Sequence, residues 1–368
     1  MERIINLLHI EWSNGWGGQE IRIFSETSEL IERGNNVIIA AQPGSQLLDK
    51  ANRANIPTFS LHMSKGVNII AIYKLVRLIK KKNIDIIHTH SSVDSRTGGI
   101  AGKISGIPVV RSRHISIPVS QSRLTWFQYM KLADKVITSG EFIRNTLIKE
   151  NNMIPDHIVS IPAGADEKKY TNNAQVKDVR KEFGLTSDQF VIGMVSVLRS
   201  WKGHNYVIEA IKALKEEIPN IHLLVVGDGP KKNEILDLIS QHSLDKYITL
   251  TGYQKDPIPF YKSMDVIILP SYAGEATSQT LPQAMLMGKP VISTDIGGLP
   301  EVVTNNETGL VVPPKNSQAI ASSILNMYSD IELRNKLAIQ GRNHALKFFT
   351  FNKMIDSTYN VYLDVLGK

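Results

Sequence analysis

The chain has 368 residues, 42% of them hydrophobic and 21% charged, and contains no cysteine. The length favours two domains, the composition excludes a disordered or low-complexity scaffold, and no apolar run reaches the ~18–20 residues needed to span a bilayer. Without cysteine there can be no disulfide, zinc finger or thiol nucleophile, and the composition fits a reducing compartment. The net charge is +7, and the whole excess lies in residues 1–165, with 20 Lys and Arg against 13 Asp and Glu; the remainder balances at 22 and 22. A positive first half points to an anionic partner for that half, either acidic lipid, a phosphorylated glycolipid or nucleic acid. The plain alternative is a soluble basic surface.

In chain order, MERIINLLHIEW opens with a strand, IINLLHI, and lacks the cleavage site of a leader peptide. GGQEIRIFSETSELIERGN reads as a helix that Gly34 ends, since glycine takes the left-handed cap conformation. NVIIAA is the next strand, Val67 to Lys82 is helical by period, and IDIIHTH is a strand. A small-residue helix, GGIAGKISG, is followed by the strands PVVRSRH and DKVITSG. The second half repeats the alternation with VIGMVSVL, HLLVVGDGP, ITLTGY, DVIILPS, PVISTDIGG and GLVVPP as strands, and after Pro314 the chain reads as helix. Strands alternating with helices mean βαβ units and parallel, doubly wound sheets, so two Rossmann-like halves follow each other. The boundary is expected near IPAGADEKKYTNNA, giving domains 1–165 and 166–349, with a last helix, about 350–368, returning to the first.

Neither half carries a complete G-x-G-x-x-G with an acidic residue about twenty positions on, so a nicotinamide oxidoreductase is weakly supported. There is also no P-loop, no G-x-S-x-G elbow and no D-x-D for a metal-bound nucleotide sugar. Chemistry concentrates in residues 270–303, PSYAGEATSQTLPQAMLMGKPVISTDIGGLPEVV. A strand ends at Pro270, and a loop of small residues, Ala276 to Thr280, runs into a helix near Leu281. Free backbone N–H groups at such a place can hold phosphate without a metal. Glu275 stands where a carboxylate can accept hydrogen bonds from sugar hydroxyls, and Gln283, one turn into the helix, can bond a ribose.

This segment resembles the C-terminal signature of family 4 glycosyltransferases, retaining enzymes of GT-B architecture, whose usual form is E-G-x-G-L-P-x-x-E-A-M-A-x-G-x-P-V-I-A-x-x-x-G-G-x-x-E. Glu275, Gly288, Pro290, Gly297, Gly298 and Glu301 match; Gln283 replaces the second glutamate, and Ala276 and Ser278 replace the commoner glycines. SVLRSWKGHNYVIEAI (196–211) resembles the family's donor-phosphate motif, in which Arg199 and Lys202 stabilise the departing diphosphate as Mg²⁺ does in metal-dependent transferases. NGWGGQE (14–20) resembles the glycine-rich first loop, where Gly17 and Gly18 let the backbone approach donor and acceptor, with Glu20 ordering the loop from the first helical turn. RSRHISIP (111–118) matches the strand end where relatives carry a histidine facing the donor sugar, here His114.

The resemblance implies a retaining glycosyltransferase with an interdomain active site, a nucleoside-diphosphate sugar as donor, and no metal or other cofactor. Glu275, His114, Arg199 and Lys202 form the expected catalytic set. Gly17, Gly18, Arg199, Lys202, Thr277, Ser278, Gln279, Thr280 and Gln283 form the expected donor site, and base recognition falls to the loops GDGP and GYQKD. Another GT-B activity (an epimerase, a hydrolase or a soluble-acceptor transferase) stays open, as does a sugar-nucleotide-binding protein without catalysis, for which the change at Gln283 is the support.

His88 and His90 form an H-x-H read as structural, since no third metal ligand is in evidence. Two stretches could meet an anionic membrane surface or an acceptor. VNIIAIYKLVRLIKKKN (67–83) sets Lys74, Arg77, Lys80, Lys81 and Lys82 beside an apolar helix face, and SRLTWFQYMK (122–131) reads as an interfacial or acceptor-binding loop carrying Trp126, Phe127 and Tyr129, the plain alternative for both being a core-packed helix with a wet basic face. The expected acceptor is therefore a glycan or lipid-linked glycan of the lipopolysaccharide or cell-envelope type, and the expected location is cytoplasmic, peripheral at the inner face of the plasma membrane. No nucleic-acid module is present.

Overall fold

A computed structural model describes residues 4–171 and 176–367. The chain separates into two compact units, Met1–Pro162 with Met354–Lys368, and Ala163–Lys353. Sequence reading placed the division after Ala165 and the return at about 350. Residues 163–165 instead belong with the second unit, because Ala165 exchanges backbone hydrogen bonds with Phe349 and Phe351, both at 2.8 Å. The last part of the expected boundary stretch, 172–174, lies outside the described residues.

The first unit is a seven-stranded parallel sheet with strands β1 (Asn6–Glu11), β2 (Asn36–Ala41), β3 (Thr58–Ser60), β4 (Ile86–Thr89), β5 (Val109–Arg113), β6 (Lys135–Thr138) and β7 (Ile158–Ser160), in the order β3-β2-β1-β4-β5-β6-β7. The second is a six-stranded parallel sheet of β8 (Phe190–Val195), β9 (Ile221–Val226), β10 (Ile248–Leu250), β11 (Val266–Leu269), β12 (Val291–Thr294) and β13 (Leu310–Val312), in the order β10-β9-β8-β11-β12-β13. Both are the doubly wound order, which reverses direction once, between β1 and β4 and between β8 and β11. Strands covered on both faces must be apolar throughout, and all four residues of β11, VIIL, are wholly buried.

Two strands escaped the sequence reading. TFS (β3) and IVS (β7) are three residues each, carry hydroxyl side chains, and form the two edges of the sheet. The segment 122–131 is corrected as well. Residues Arg123–Met130 are a helix, capped by Ser122 Oγ on Thr125 N–H, and not a loop. Its Tyr129 is buried under the Arg111 guanidinium, 3.6 Å from the ring centroid, while Phe127 remains exposed.

The helix Ile69–Lys82 buries Ala71, Ile72, Leu75, Leu78 and Ile79 and begins at Asn68, whose side chain accepts from Ala71 N–H. Its other face exposes Ile69, Ile70 and Tyr73 beside Lys74 and Arg77. In the C-terminal helix Phe351–Val365, the residues from Met354 onward join the first unit. There Tyr362 is buried against His88 and Glu26, and Asp356 pairs with Arg33. No helix among the described residues is long and apolar enough to cross a membrane.

Candidate active site

In open parallel sheets, ligands gather beyond the carboxyl ends of the strands where the winding reverses. In the second unit that place is defined by the loops after β8 and β11, which are neighbouring strands. Those loops are 196–203 and 270–280, the two motifs that carried the sequence argument. They are joined by direct contacts. Tyr272 N–H donates to the Trp201 carbonyl at 2.9 Å. Gly203 has φ +78°, and a Cβ there would lie 2.2 Å from the Pro270 carbonyl oxygen, so only glycine lets the loops approach this closely.

At the junction, Lys202 Nζ lies 2.5 Å from Glu275 Oε1, and Ser271 Oγ donates to the same oxygen at 2.6 Å. Both charged side chains are largely withdrawn from water, with 18% and 7% of their surface exposed. Glu275 is held from behind by the GG pair. Gly297 has φ +60°, and a Cβ on it would meet the Glu275 carbonyl oxygen at 2.2 Å; Gly298 N–H donates to that carbonyl at 3.3 Å. A buried ion pair with one extra hydroxyl is rigid, and it presents one carboxylate oxygen and one ammonium in a fixed relation.

The other expected donor residues surround this pair. Arg199 is exposed, its guanidinium 5.0 Å from the centroid of Trp201. Thr277 and Ser278 are buried, and Gln279 donates through Nε2 to the Gly164 carbonyl at 3.4 Å. Thr280 Oγ1 donates to the Val195 carbonyl at the end of β8, at 3.0 Å. One expectation needs correcting: the Thr280 backbone N–H is not free, because it donates to Ser278 Oγ at 3.2 Å. Gln283 accepts from the Tyr261 hydroxyl at 3.2 Å through Oε1, so its NH₂ is the end able to donate to a hydroxyl.

Three residues at this site went unremarked in the sequence. Ser271 shares Glu275, His204 meets Ser196 Oγ at 3.2 Å, and Lys315 lies 4.8 Å from the Tyr272 ring centroid. Burial, then the charge of Lys202, lowers His204 to about 4, so it is neutral at physiological pH. Lys315 lies 40 residues beyond Glu275 in a turn at φ +58°, and no periodicity marks it.

In the first unit, the corresponding loops follow β1 and β4. Gly17 and Gly18 lie after β1, where Glu20 Oε2 closes back on the Gly17 N–H at 2.7 Å and starts the helix Gly18–Glu32. Both glycines are exposed, and a Cβ on Gly18 would meet nothing within 4 Å, so the surrounding chain does not demand glycine there. His114 follows β5 and stacks on His90, with ring centroids 5.4 Å apart. The fold also supplies the partner that the H-x-H pair lacked. His9 of β1 joins His88 and His90, and one ring nitrogen from each lies within 4.8 Å of the others.

Beneath the glycine loop, Glu11 and Asp94 are both fully buried. Glu11 Oε1 accepts from Ser13 N–H at 2.7 Å and Oε2 accepts from Gln19, while Asp94 accepts from the N–H groups of Trp12, His90 and Ser91. Burial, then the neighbouring Asp94 charge, pushes Glu11 up to about 8, and burial pushes Asp94 up to about 6.

Comparison with known proteins bears on this arrangement. Residues 16–169 match the model described as Glycosyltransferase Family 4, and residues 175–344 match Glycosyl transferases group 1. The UDP-Gal:alpha-D-GlcNAc-diphosphoundecaprenol alpha-1,3-galactosyltransferase of Escherichia coli is 28% identical over 338 residues, 88% of this chain and 87% of its own. A glycosyltransferase from Rickettsia africae superposes with TM-score 0.89 at 25% identity, covering 99% of each chain. Anabaena HepE, in complex with UDP, gives 0.88 at 21% identity over 98% of this chain and 100% of its own. The two matched models run through most of the sequence, and the chain belongs to the family 4, group 1 glycosyltransferases.

Proposed function

We propose that this glycosyltransferase moves a sugar from a nucleoside-diphosphate sugar to a glycan or lipid-linked acceptor, with retention of anomeric configuration and without a metal, in the assembly of a cell-envelope polysaccharide or lipopolysaccharide. The observation that carries the reading is the Lys202–Glu275 pair at the winding reversal of the second sheet. Departure of a diphosphate builds negative charge where Lys202 and Arg199 stand, and fixed cations in a partly dehydrated site lower that barrier. The loop 277–280 adds to this anion site, the Gln283 NH₂ bonds the ribose, and Glu275 accepts from sugar hydroxyls. Gly17, Gly18 and His114 of the first unit serve the same reaction by family resemblance. No side chain is placed as a covalent nucleophile. The acceptor oxygen attacks on the face from which the diphosphate leaves, and a diphosphate oxygen takes its proton, so catalysis is positioning and charge stabilisation.

The E. coli relative's name specifies a UDP-sugar donor and an acceptor on a polyprenyl diphosphate, which supports a donor and an acceptor of those kinds here. Ile69, Ile70 and Tyr73 stand exposed beside Lys74 and Arg77, a surface that fits a peripheral site at the anionic inner leaflet. A thermal-shift panel of UDP, GDP, ADP and their sugar conjugates, run with EDTA, tests the donor reading. One nucleotide should raise Tm and one conjugate should raise it further. Transfer abolished by EDTA, or binding without transfer to any envelope-extract acceptor, overturns it. Flotation with anionic and neutral vesicles tests the surface, and equal binding to both removes the membrane from the proposal.

A further inference from the structure

Three histidines of the first unit form a hydrogen-bonded chain with His88 beside it, and the polarity of the chain can be read from its buried end. His9 Nδ1 meets His90 Nε2 at 2.9 Å, and His90 Nδ1 meets His114 Nε2 at 3.1 Å. His9 and His90 are buried, and only His114, just past β5, is half-exposed. Burial holds His9 and His90 far below the usual histidine range, so both rings are neutral and each carries a single N–H. In a chain of neutral imidazoles one choice of proton sets every other: each ring donates from one nitrogen and accepts at its second, all in the same sense.

That choice is made at Glu26. His9 Nε2 has no hydrogen-bond partner, and the atom that faces it is Glu26 Oε1 at 3.8 Å. Glu26 is fully buried, accepts from the Tyr362 hydroxyl at 2.5 Å and stands 3.9 Å from Arg22 Nε. Burial raises its carboxyl, but its surroundings, His88 first, hold it below the usual carboxylate range; with the Arg22 guanidinium beside Oε2 and the Tyr362 hydroxyl donating to Oε1, Glu26 is the anion of the cluster. A lone pair on His9 Nε2 would face that anion with no donor between them, whereas an N–H there is attracted to it. With the proton on His9 Nε2, His9 Nδ1 must accept from His90 Nε2–H, and His90 Nδ1 must accept from His114 Nε2–H. His114 is left with a bare Nδ1, for which there is no partner among the described residues. A branch from the same carboxylate obeys the same logic. Tyr362 donates to Glu26, so His88 Nδ1–H donates to Tyr362 at 2.6 Å, and His88 Nε2 accepts from Ser112 Oγ at 2.8 Å. The histidine spacing that could have marked a metal site is thereby accounted for by hydrogen bonds.

We propose that Glu26, His9 and His90 are positioning residues that lock His114 in its Nε2–H tautomer, so that His114 presents Nδ1 as a hydrogen-bond acceptor to a substrate hydroxyl. The second half of this statement rests on the assignment of His114 to the transfer reaction; the first half does not. Selectivity follows from the polarity: an acceptor nitrogen takes a hydroxyl proton, and it disfavours a carbonyl or ether oxygen at the same place.

The test has a spectroscopic and a kinetic arm. In the full chain labelled with ¹⁵N-histidine, long-range ¹H–¹⁵N correlation reports which nitrogen of each ring is protonated, and His114→Gln identifies the His114 signals by their loss. The expected result is Nε2 protonated and Nδ1 bare on His114, with mixed tautomers in Glu26→Gln. Protonation at Nδ1, both nitrogens protonated, or a shift of the His9, His88 and His90 signals on adding Zn²⁺ overturns the proposal, whatever the enzyme transfers. In the kinetic arm, Glu26→Gln and His114→Gln should each lower kcat/KM for transfer about tenfold, the scale of one neutral hydrogen bond, with the UDP-induced thermal shift unchanged. The double variant should be no worse than His114→Gln alone. Multiplicative losses overturn the coupling even where the tautomer is as expected. If neither donor binding nor transfer is found in the unaltered protein, the functional reading fails and the spectroscopic arm still decides the tautomer.

Discussion

The two units carry the same sheet order and place polar groups at the same point of it, yet they solve the burial of charge in opposite ways. In the second unit, opposite charges meet: Lys202 and Glu275 neutralise each other, with Ser271 satisfying a further lone pair. In the first unit, like groups meet. Glu11 lies near Asp94 and four histidine rings lie close together, so burial shifts protonation, raising the two carboxyls and lowering His9 and His90. The first arrangement sets a cation and an anion in a fixed relation, as the proposed diphosphate site requires. The second fixes the direction of hydrogen bonds among neutral rings, as recognition of hydroxyls requires.

The largest effect is expected where opposite charges meet. Lys202→Ala should lower kcat by ~10²-fold or more, the scale for loss of a fixed transition-state charge contact, and should weaken UDP binding as well. Because the change also leaves a buried carboxylate without its partner, Lys202→Arg belongs beside it as the charge-conserving control. Steady-state kinetics with unchanged kcat in the alanine variant would remove Lys202 from the site and, with it, the contrast between the two units.

Glu275→Ala should cost somewhat less, about tenfold to a hundredfold in transfer, with a smaller loss of UDP affinity measured by thermal shift. That split distinguishes a carboxylate on the sugar from one on the nucleotide. Equal losses would place Glu275 with the diphosphate and make the second unit's ion pair purely a nucleotide clamp.

What could be read beforehand differs between the units for the same physical reason. The second unit's site is built by two short, contiguous segments, 196–203 and 270–283, whose glycines, cations and carboxylate sit at fixed spacing, so the spacing itself carried the chemistry. The first unit's array is assembled by topology. His9 comes from β1, His88 and His90 from β4 or its end, His114 from beyond β5, Glu26 from a helix and Tyr362 from the far C-terminus. No spacing in the sequence connects residues 9 and 114, and the H-x-H pair alone could not reveal a third histidine beside it. β3 and β7, the edge strands of the first sheet with a polar hydroxyl in each, were not legible, although β10 and β13, equally short, were. The helix 123–130 was hidden because its aromatic residues face both core and solvent, leaving no one-sided stripe.

The smallest effect expected is a loss of stability as pH rises past neutrality, for which Glu11 of the first unit is responsible. Glu11, at about 8 in the folded chain, lies above its ordinary value near 4.5, so between those values the folded state binds more protons than the unfolded one. Stability must then fall as pH rises through that window, because the native carboxyl is forced toward an ionised form that burial and Asp94 both disfavour. Glu11→Gln keeps the shape and cannot ionise. Its Tm should be close to that of the unaltered protein at pH 5 and should exceed it by a widening margin toward pH 9. Since Glu11 also holds Ser13 N–H and Gln19 beneath Gly17 and Gly18, the same ionisation would loosen that loop. Loss of activity above pH 8 should therefore be relieved in the glutamine variant. Parallel Tm curves for the two proteins from pH 5 to 9 would mean that Glu11 is ionised throughout and that shifted protonation is not how this unit accommodates its buried carboxylates.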